Sequence, residues 1–408
     1  MNTKYDIVIV GGGAAGFFTA INIVEKNPKI KVCILERGQE VLGKVRISGG
    51  GRCNVTHACF VPNDLVKNYP RGEKELRGPF NQFCSGDTID WFEKKGIELK
   101  IEEDGRMFPV SNSSQTIIDC FLDATKKLNI DVLTSQSVQS IFKTENHWKV
   151  ETNHETYVCK SLILTTGSNP KIWEILQNMG HSIIEPVPSL FTFNIKDARI
   201  KDLMGLSTLA TVKVKNSKLQ ASGPLLITHW GMSGPGILKL SAWGARELAV
   251  KKYQFAISVN WLNNVTLEEI ATILRELKLE HSKKAVSKKS PFDLPNRLWE
   301  NIVLASGINA ETKWADLNKV QLSNLANQLT NAEFQVNGKS TFKEEFVTAG
   351  GIDLKEVNFK TMESKILSNL YFAGEIINID GVTGGFNFQN AWTTGWLAGR
   401  GVGESIIV

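Results

Sequence analysis

A short apolar strand runs directly into a glycine turn at the start of the chain. Residues 5–16 read Tyr-Asp-Ile-Val-Ile-Val-Gly-Gly-Gly-Ala-Ala-Gly. Gly11 permits a tight turn, Gly13 lets the backbone approach a pyrophosphate, and Gly16 lets the following helix pack closely on the strand. A pyrophosphate would lie at the N-terminus of that helix, where unpaired N–H groups and the helix dipole favour an anion. The pattern predicts an α/β fold that binds a dinucleotide.

Glu36 closes the next predicted strand, Val32-Cys-Ile-Leu-Glu. A carboxylate at this place can accept hydrogen bonds from both hydroxyls of an adenosine ribose, and it would repel a 2′-phosphate. The strand, the helix and the acid together favour a ligand site over a glycine-rich turn without a ligand. They leave both NAD and FAD open.

A second strand that ends in Gly-Glu lies near the other end of the chain. It reads Asn369-Leu-Tyr-Phe-Ala-Gly-Glu375, and Asp380 and Gly384-Gly-Phe-Asn387 follow it at the start of a predicted final helix. An FAD site needs this second element because the ribityl and isoalloxazine half requires its own clamp, whereas an NAD site does not. Glu375 can hold a ribityl hydroxyl, and the N–H groups of Gly385–Asn387 can stabilise negative charge at the N1–C2=O edge of reduced flavin. The alternative is an ordinary strand-to-helix turn.

The segment Gly43-Lys-Val-Arg-Ile-Ser-Gly-Gly-Gly-Arg-Cys-Asn54 contains three consecutive glycines. Neither strand nor helix preference explains such a run, so it predicts a loop whose backbone approaches a ligand. A flexible loop without a ligand is the alternative. Arg52 can neutralise pyrophosphate charge, and Ser48, Cys53 and Asn54 can line the cofactor. We interpret Cys53 as a cofactor-packing residue and not as a nucleophile, because no resolving cysteine lies two or three residues away.

The predicted cofactor contacts come from the two elements above, the glycine run, Val138 and the strand Ser161-Leu-Ile-Leu-Thr-Thr-Gly167, which ends in glycine as strands do beside a ligand. No metal site is predicted, because the six histidines lack metal-ligand spacing. The complete set of predicted cofactor-binding residues is Gly11, Gly13, Ala14, Ala15, Gly16, Glu36, Arg37, Lys44, Ser48, Gly49, Gly51, Arg52, Cys53, Asn54, Val138, Thr166, Gly167, Gly374, Glu375, Asp380, Gly384, Gly385, Phe386 and Asn387.

The composition excludes several classes of protein. The chain has 408 residues, 42% of them hydrophobic, which predicts two or three folded domains. Its 47 basic and 42 acidic residues give a net charge of +5, and the basic residues are scattered, so no nucleic-acid partner is expected. The six cysteines form no C-x-x-C pair, and neither a secretion signal nor an apolar stretch near the ~18 residues of a membrane span occurs. These features predict a soluble cytoplasmic protein without a membrane partner.

The period of the apolar residues divides the chain into three predicted regions. The α/β pattern of the two ends is interrupted by alternating segments such as Ala210-Thr-Val-Lys-Val-Lys, which predict an antiparallel sheet. A helix is predicted to begin at the capping box Thr266-Leu-Glu-Glu269, and Asn337-Gly338 predicts a hairpin that returns to the sheet. The predicted domains are an FAD-binding domain at 1–188 and 346–408, an antiparallel β-domain on the substrate side at 189–262 and 331–345, and a helical insert at 263–330.

The chain resembles the bacterial flavoprotein family variously named aminoacetone oxidase-like or BaiN/RdsA-type NAD(P)/FAD-dependent oxidoreductases. The resemblance covers most of the chain outside the helical insert, and it implies a Rossmann-like FAD domain of the two-dinucleotide-binding type interrupted by a β-domain and a helical domain. The matching stretches are Gly11–Gly16, Lys44–Thr56, Gly105-Arg-Met-Phe-Pro109, Thr228-His-Trp-Gly-Met-Ser-Gly-Pro235, Thr348-Ala-Gly-Gly351 and Phe372–Gln389.

These features favour an FAD-dependent oxidoreductase that transfers a hydride between flavin and a small organic substrate held between the FAD and β domains. We expect NAD(P)H to be the donor, and it must reach the flavin without a domain of its own, because no second strand followed by G-x-G-x-x-G occurs. The alternatives are an amine oxidase or dehydrogenase that uses O₂, a flavin-dependent RNA-modifying transferase, and a non-catalytic FAD-binding protein.

Two residues are candidates on the substrate side. We expect Thr228–Gly236 to cap the flavin from the β-domain, which would place His229 near a substrate. Arg106, within the Gly105-Arg-Met-Phe-Pro109 stretch, is the second candidate. Neither has a partner that the sequence identifies, so a purely structural role is the alternative for both.

Overall fold

The computed structural model describes residues 2–340 and 347–406, which fold into two compact units. The first unit comprises 2–187 and 347–406, and the second comprises 188–340. The predicted boundary between 345 and 346 lies outside the described residues. Among the helices of the described ranges, none combines the length and the apolar character needed to cross a membrane.

A parallel sheet forms the centre of the first unit, and it confirms the predicted α/β class. The strand Ile7–Val10 lies inside this sheet, where Ile9 pairs with Ile34 on one side and with Ile163 on the other. All four of its residues are buried, as expected for a parallel strand that is covered on both faces. The parallel strands are Ile7–Val10, Val32–Leu35, Asp131–Leu133, Ser161–Leu164 and Leu370–Phe372, and the antiparallel strands Val357–Asn358 and Glu363–Ser364 extend one edge.

The first helix and the C-terminal helix of this unit pack against each other. Trp392 is fully buried, and its ring centroid lies 5.2 Å from that of Phe18 and 5.7 Å from that of Phe121. Its indole N–H donates to the Val55 carbonyl at 2.8 Å. The α-helices are Ala14–Lys26, Gly43–Gly51, Pro62–Leu65, Glu73–Phe80, Ser85–Glu93, Ser114–Lys127, Pro170–Asn178 and Phe386–Ile406, with short 3₁₀ turns at Val66–Asn68, Leu354–Glu356 and Gly374–Ile376.

Three small sheets complete the first unit. A three-stranded sheet carries Thr56 and Arg106 on neighbouring strands, so it connects the end of the glycine run with the second substrate-side candidate. Its strands are Thr56–His57, Arg106–Pro109 and Leu99–Ile101; a second sheet contains Asn2–Lys4, Thr156–Cys159, Trp148–Thr152 and Val138–Lys143; and a third pairs Ile183–Ser189 with Val347–Ile352.

The second unit contains an antiparallel sheet, as the alternating pattern predicts. The strands are Thr192–Asn194, Ser207–Val214, Gln220–Ile227, Gly231–Ser233, Gln254–Asn260, Ala332–Asn337 and Lys339–Ser340. The hairpin predicted at Asn337-Gly338 is wrong, because the strand before it pairs with Gln254–Asn260 and the strand after it pairs with Thr192–Asn194. Gly338 instead forms a corner between these two neighbours, donating to the Tyr253 carbonyl at 2.8 Å and accepting from the Asn194 N–H at 3.0 Å.

Helices pack on this sheet within one continuous core that includes Trp299, Trp314 and Phe334. The predicted capping box is confirmed: the Thr266 hydroxyl accepts from the Glu269 N–H at 3.2 Å, and the Glu269 carboxylate accepts from the Thr266 N–H at 2.8 Å. Two helices, Pro235–Trp243 and Ala245–Val250, lie within the segment for which the sequence pattern predicted only strands. The helices are Pro235–Trp243, Ala245–Val250, Leu267–Glu280, Asn296–Ala305 and Lys319–Thr330, with a 3₁₀ turn at Trp314–Asp316. The division into a β-domain and a helical insert stays a prediction.

Candidate functional site

The first glycine turn is tightly packed on one side and open on the other. Gly11 has φ +115°, and a Cβ atom on it would lie 2.5 Å from the Thr165 carbonyl oxygen. A Cβ atom on Gly16 would lie 2.0 Å from the Gly11 carbonyl oxygen. Gly13 differs, because no described atom outside its immediate neighbours lies within 4 Å of its Cβ position. The turn is therefore open where the sequence predicts a pyrophosphate.

The helix Ala14–Lys26 begins at this opening. Gly13 is its N-cap and supplies no side-chain cap. The first N–H groups of an α-helix have no acceptor within the helix, and the helix dipole adds positive potential at the same end. Since Ala14 and Ala15 bring only methyl groups to this end, the helix start fits a bound phosphate group.

Glu36 follows the strand Val32–Leu35 and is half-buried beside the turn. Its two carboxylate oxygens accept hydrogen bonds from the N–H groups of Gly12 and Gly38, both at 2.8 Å. A carboxylate has about four lone-pair directions, so each oxygen retains one for a further donor. The geometry is compatible with the predicted bonds to ribose hydroxyls.

An open cleft lies beside Glu36. Five predicted residues line it, namely Gly11, Glu36, Arg37, Val138 and Thr166. The sequence analysis did not identify the other polar residues of the lining, Gln136, Ser137, Asn169 and Lys171. Gln136 and Ser137 follow the strand Asp131–Leu133, whereas Asn169 is the N-cap of the helix Pro170–Asn178 and Lys171 lies in its first turn. No motif marks these four residues. Their position next to the ribose acceptor makes this cleft the candidate site for the adenosine end of a dinucleotide.

The glycine run contains a helical turn, whereas the sequence predicted a loop. A helix begins at Gly43, and its regular geometry breaks at Ser48, Gly49 and Gly50. Cys53 follows with its side chain fully buried, and its N–H donates to the Ser48 carbonyl at 3.0 Å. Burial raises the pKa of Cys53 to about 12, outweighing a hydrogen bond from Ser48 that lowers it. The thiol is therefore protonated at neutral pH, which supports packing and argues against a nucleophile.

Arg52 and Arg106 share one acidic partner. Arg52 Nη1 lies 2.5 Å and Arg106 Nη2 lies 3.3 Å from the carboxylate oxygens of Glu102. The Arg52 guanidinium also lies 3.9 Å from the centre of the Phe108 ring, and Arg106 Nε donates to Asp104 at 2.7 Å. The structure thus brings together two predicted site residues and supplies Arg106 with the partners that the sequence did not reveal.

The Gly-Glu element at residues 369–375 approaches the glycine turn at Gly11–Gly16 along the carboxyl edge of the sheet. Gly374 follows the strand Leu370–Phe372, and its Cβ position lies 3.1 Å from the Ala15 Cβ atom. The Cβ position of Gly167 lies 3.7 Å from the Glu375 carboxylate, which accepts a hydrogen bond from Lys44 Nζ at 2.5 Å. Residues from four distant segments of the chain therefore meet here.

The start of the C-terminal helix is held by side chains on both sides. The Asn54 amide, in the orientation that satisfies both of its ends, accepts from the Gly385 N–H at 2.9 Å and donates to the Thr56 carbonyl at 3.0 Å. Asn387 exchanges two hydrogen bonds with the backbone of Gly381, at 2.8 and 2.9 Å. Asp380 is fully buried and forms an ion pair with Arg71. These contacts fix the two glycines Gly384 and Gly385 in front of the helix.

Several buried polar atoms on these elements have no hydrogen-bond partner in the described chain. They are the Thr166 and Ser168 hydroxyls, His57 Nδ1 and both amide atoms of Asn390. A buried polar group without a partner costs about 1–3 kcal/mol, so such atoms point to groups of a bound molecule. Together with the open helix start and the two carboxylates, they fit an FAD molecule that extends from the cleft to the C-terminal helix.

His229 belongs to the second unit, where it is exposed in a turn next to Trp230. The turn is closed by a hydrogen bond from the Thr228 N–H to the Gly231 carbonyl at 2.8 Å. The other substrate-side candidate, Arg106, belongs to the first unit. The roles of both residues stay predictions.

The parallel sheet, the glycine turn and the C-terminal Gly-Glu element define an FAD-dependent oxidoreductase with a Rossmann-type cofactor domain. The chain belongs to the family described as HI0933-like protein Rossmann domain, whose model matches residues 5–401. The predicted family, fold class and enzyme class are thereby confirmed.

The chain is similar to named proteins over nearly its whole length. It is 29% identical to the "Ribosomal RNA dihydrouridine synthase" of Escherichia coli, over 97% of this chain and 98% of that protein. It is 24% identical to the "3-dehydro-bile acid delta(4,6)-reductase" of Clostridium scindens, over 98% and 99% of the two chains. Among solved structures, the 3-ketosteroid-delta4-(5alpha)-dehydrogenase of Rhodococcus jostii shares the fold, with a TM-score of 0.51 and 13% identity over 98% of this chain and 97% of that one.

Proposed function

We propose that this protein reduces a carbon–carbon double bond conjugated to a carbonyl group, and that its substrate is a uracil base of ribosomal RNA. The observation that carries the proposal is the match to a ribosomal RNA dihydrouridine synthase over 97% of the chain. A second protein with that name, from Haemophilus influenzae, is 28% identical over the same share.

The names of the relatives point to one type of reaction. Dihydrouridine is uridine with a saturated C5–C6 bond, and in uracil this double bond is conjugated to the C4 carbonyl. A steroid with a 3-oxo group and a 4,5 double bond presents the same enone. In both cases a hydride adds to the β-carbon and a proton to the α-carbon. FAD, once reduced, supplies the hydride.

The residues of the site would hold and orient the cofactor. Glu36 would bind the ribose hydroxyls, and the open turn at Gly13 would take the pyrophosphate. Glu375, held by Lys44, would bind the ribityl chain. The start of the helix Phe386–Ile406 would stabilise the negative charge that the isoalloxazine gains on reduction.

The two substrate-side candidates suit different tasks. The Arg106 guanidinium is bound by Glu102 and Asp104 and offers only N–H donors, so it is better suited to orient a carbonyl or a phosphate than to transfer a proton. The exposed imidazole of His229 can carry a proton to the α-carbon. We therefore retain His229 as the candidate proton donor and Arg106 as an orienting residue.

RNA replaces the small organic substrate that the sequence analysis predicted. The scattered basic residues argued against nucleic acid, but the names of two relatives matched nearly end to end favour it. Trp230 is 59% exposed beside His229, and exposed aromatic rings of this kind stack on unpaired RNA bases. NAD(P)H remains the proposed electron donor.

The test uses the purified protein loaded with FAD. It is reduced anaerobically with NADH or NADPH in a stopped-flow instrument and then mixed with unmodified transcripts of ribosomal RNA or with a 3-oxo-4-ene steroid. Flavin reoxidation is followed by absorbance, and dihydrouridine in the digested RNA is measured by mass spectrometry.

We expect NAD(P)H to reduce the flavin rapidly, and the RNA to reoxidise it with formation of dihydrouridine. If the steroid reoxidises the flavin and the RNA does not, the proposal of an enone reductase is supported and the proposal of an RNA substrate is wrong. Slow reduction by both nicotinamides together with fast reoxidation by O₂ would overturn the reductase and favour the amine oxidase alternative.

A further inference from the structure

The positive charge of the chain is carried by the second unit. Its described residues, 188–340, include 20 lysines and arginines and 12 aspartates and glutamates, which gives a net charge of +8. The remaining residues of the chain include 27 basic and 30 acidic ones, which gives −3. The balance of +5 for the whole sequence therefore hides one basic unit, and a domain with such an excess favours a polyanionic partner.

Residues 281–290 of this unit, which we call the lysine segment, contain four lysines and no acidic residue. They read His281-Ser-Lys-Lys-Ala-Val-Ser-Lys-Lys-Ser290, and all four lysines are exposed. Ala285 forms an antiparallel bridge with Lys313, a fifth exposed lysine, and the Trp314 N–H donates to the Lys284 carbonyl at 3.0 Å. Five lysines from two stretches of the chain therefore lie together at the surface.

The backbone of the lysine segment is anchored to the core of the unit. Val286 is fully buried, and its carbonyl accepts a hydrogen bond from Nε1 of the equally buried Trp299 at 2.8 Å. The Ser287 hydroxyl donates to the Ala310 carbonyl at 2.7 Å. Since these contacts already fix the segment, a ligand that binds its lysines need not order the backbone first.

The five lysines have no acidic partner among the residues that the structure describes. No carboxylate oxygen of those residues lies within 4.0 Å of their Nζ atoms. Lys284 Nζ lies 3.4 Å from His281 Nδ1, and Glu280, which precedes the segment, faces the other ring nitrogen of His281 at 3.7 Å. Like charges held together in this way repel one another, so a bound polyanion would stabilise the arrangement.

We propose that the lysine segment and Lys313 bind phosphate groups of the RNA substrate. Lysine binds phosphate as a point charge, and phosphate contacts hold a nucleic acid without reading its sequence. The one large apolar side chain of the segment, Val286, is buried, so this surface offers charge without the apolar face with which a helix enters a membrane surface. The inference rests on the proposed RNA substrate and adds to it a binding surface in the second unit.

The test measures the affinity of the FAD-loaded protein for unmodified ribosomal RNA transcripts by filter binding, between about 50 and 200 mM KCl. The segment variant combines Lys283→Gln, Lys284→Gln, Lys288→Gln and Lys289→Gln. The control variant removes the same charge from four exposed lysines elsewhere in the second unit, by Lys213→Gln, Lys218→Gln, Lys239→Gln and Lys252→Gln. Circular dichroism and bound FAD show whether both variants fold.

We expect the segment variant to bind the transcripts about tenfold or more weakly at about 150 mM KCl. Its slope of log Kd against log [KCl] should be smaller by about three, because each neutralised phosphate contributes about 0.7–0.9. The KM for the transcripts should rise while kcat stays unchanged, because phosphate contacts do not touch the reacting base. The control variant should keep the wild-type slope within about one. If the segment variant does not retain FAD, Lys288→Gln with Lys289→Gln takes its place, and about half the change in slope is expected.

Wild-type affinity and slope in the segment variant would overturn the proposal. An equal loss in the control variant would do the same, since the net charge and not the lysine segment would then explain it. Vesicles that contain phosphatidylserine provide the other anionic surface. If the segment variant loses binding to them but keeps wild-type affinity for RNA, the surface belongs to a membrane and the proposal is wrong.

The proposed function and the lysine segment fail in different ways. If the segment variant binds the transcripts and forms dihydrouridine as the wild type does, only the assignment of the lysine segment is wrong. If the wild type neither binds nor modifies the transcripts, the RNA substrate is wrong as well.

Discussion

Lys44 Nζ lies 2.5 Å from the Glu375 carboxylate, although 331 residues separate the two along the chain. The contact joins the glycine run to the element that follows the strand Leu370–Phe372. Glu375 is only 14% exposed in its side chain, whereas Lys44 is 53% exposed. The pair therefore orients a nearly buried carboxylate at the carboxyl edge of the sheet.

We predict that this pair matters for FAD binding more than for folding. Glu375→Ala should raise the Kd for FAD about tenfold or more, because a hydrogen bond to a charged group contributes about 1.5–3 kcal/mol. Lys44→Met should change the unfolding free energy of the apoprotein by less than about 1 kcal/mol, since the Lys44 side chain is 53% exposed and water reaches its end of the ion pair. FAD titration and urea unfolding measure the two quantities, and a Glu375→Ala variant with wild-type FAD affinity would contradict the ribityl role.

Gly13 provides a direct test of the pyrophosphate position. Its Cβ position is free of described atoms within 4 Å, so Gly13→Ala should leave the apoprotein as stable as the wild type within about 1 kcal/mol. The new methyl group would occupy the space assigned to the pyrophosphate, and FAD affinity should fall at least about tenfold. Gly78→Ala is the matched control, because its Cβ position is equally open but lies in the helix Glu73–Phe80. Unchanged FAD affinity in Gly13→Ala would place the pyrophosphate elsewhere.

The elements with strong local signals were predictable from the sequence. The spacing of Gly11, Gly13 and Gly16 predicted the strand, turn and helix, because Gly11 and Gly16 leave no room for a Cβ atom and Gly13 keeps the turn open for a ligand. Glu36 and Glu375 were predictable for a similar reason: each acid comes at or just after the end of a sheet strand, and the carboxyl ends of parallel strands share one edge. The capping box at Thr266 needs only contacts within four residues.

The contacts between distant segments were not predictable in this way. The hairpin predicted at Asn337-Gly338 is wrong because the two strands that flank it do not pair with each other. One pairs with Gln254–Asn260 and the other with Thr192–Asn194. The partners of Arg106 and the stacking of His57 on Phe386 likewise depend on how separate segments meet. The helix Pro235–Trp243 lies in a region where apolar and polar residues mostly alternate. The alternation over the whole region predicted strands, so this short helix was missed.

The ion pair between Arg71 and Asp380 should be a major contribution to the stability of the first unit. The Asp380 side chain is fully buried and that of Arg71 is 13% exposed. Asp380→Ala removes the carboxylate that forms this nearly buried ion pair, so it should lower the unfolding free energy of the apoprotein by about 3–5 kcal/mol. The exposed pair of Asp64 and Lys67 is the control, and Asp64→Ala should have no measurable effect. Equal urea midpoints for Asp380→Ala and Asp64→Ala would show that the buried ion pair contributes no more to stability than the exposed one.

Glu356 should contribute to the loss of stability in acid. Burial alone would raise the pKa of Glu356, but hydrogen bonds from Ser182 and His181, at 3.0 and 2.8 Å, outweigh it and lower the pKa from 4.5. A carboxylate whose pKa is lower in the folded state adds stability above its unfolded pKa, and this stability is lost as the pH falls through the folded value. Urea unfolding between about pH 6 and pH 3 should therefore show a smaller acid-induced loss in Glu356→Gln than in the wild type. Glu145→Gln, at an exposed position, should reproduce the wild-type pH dependence, and an equally steep loss in Glu356→Gln would exclude this carboxylate as a source of acid sensitivity.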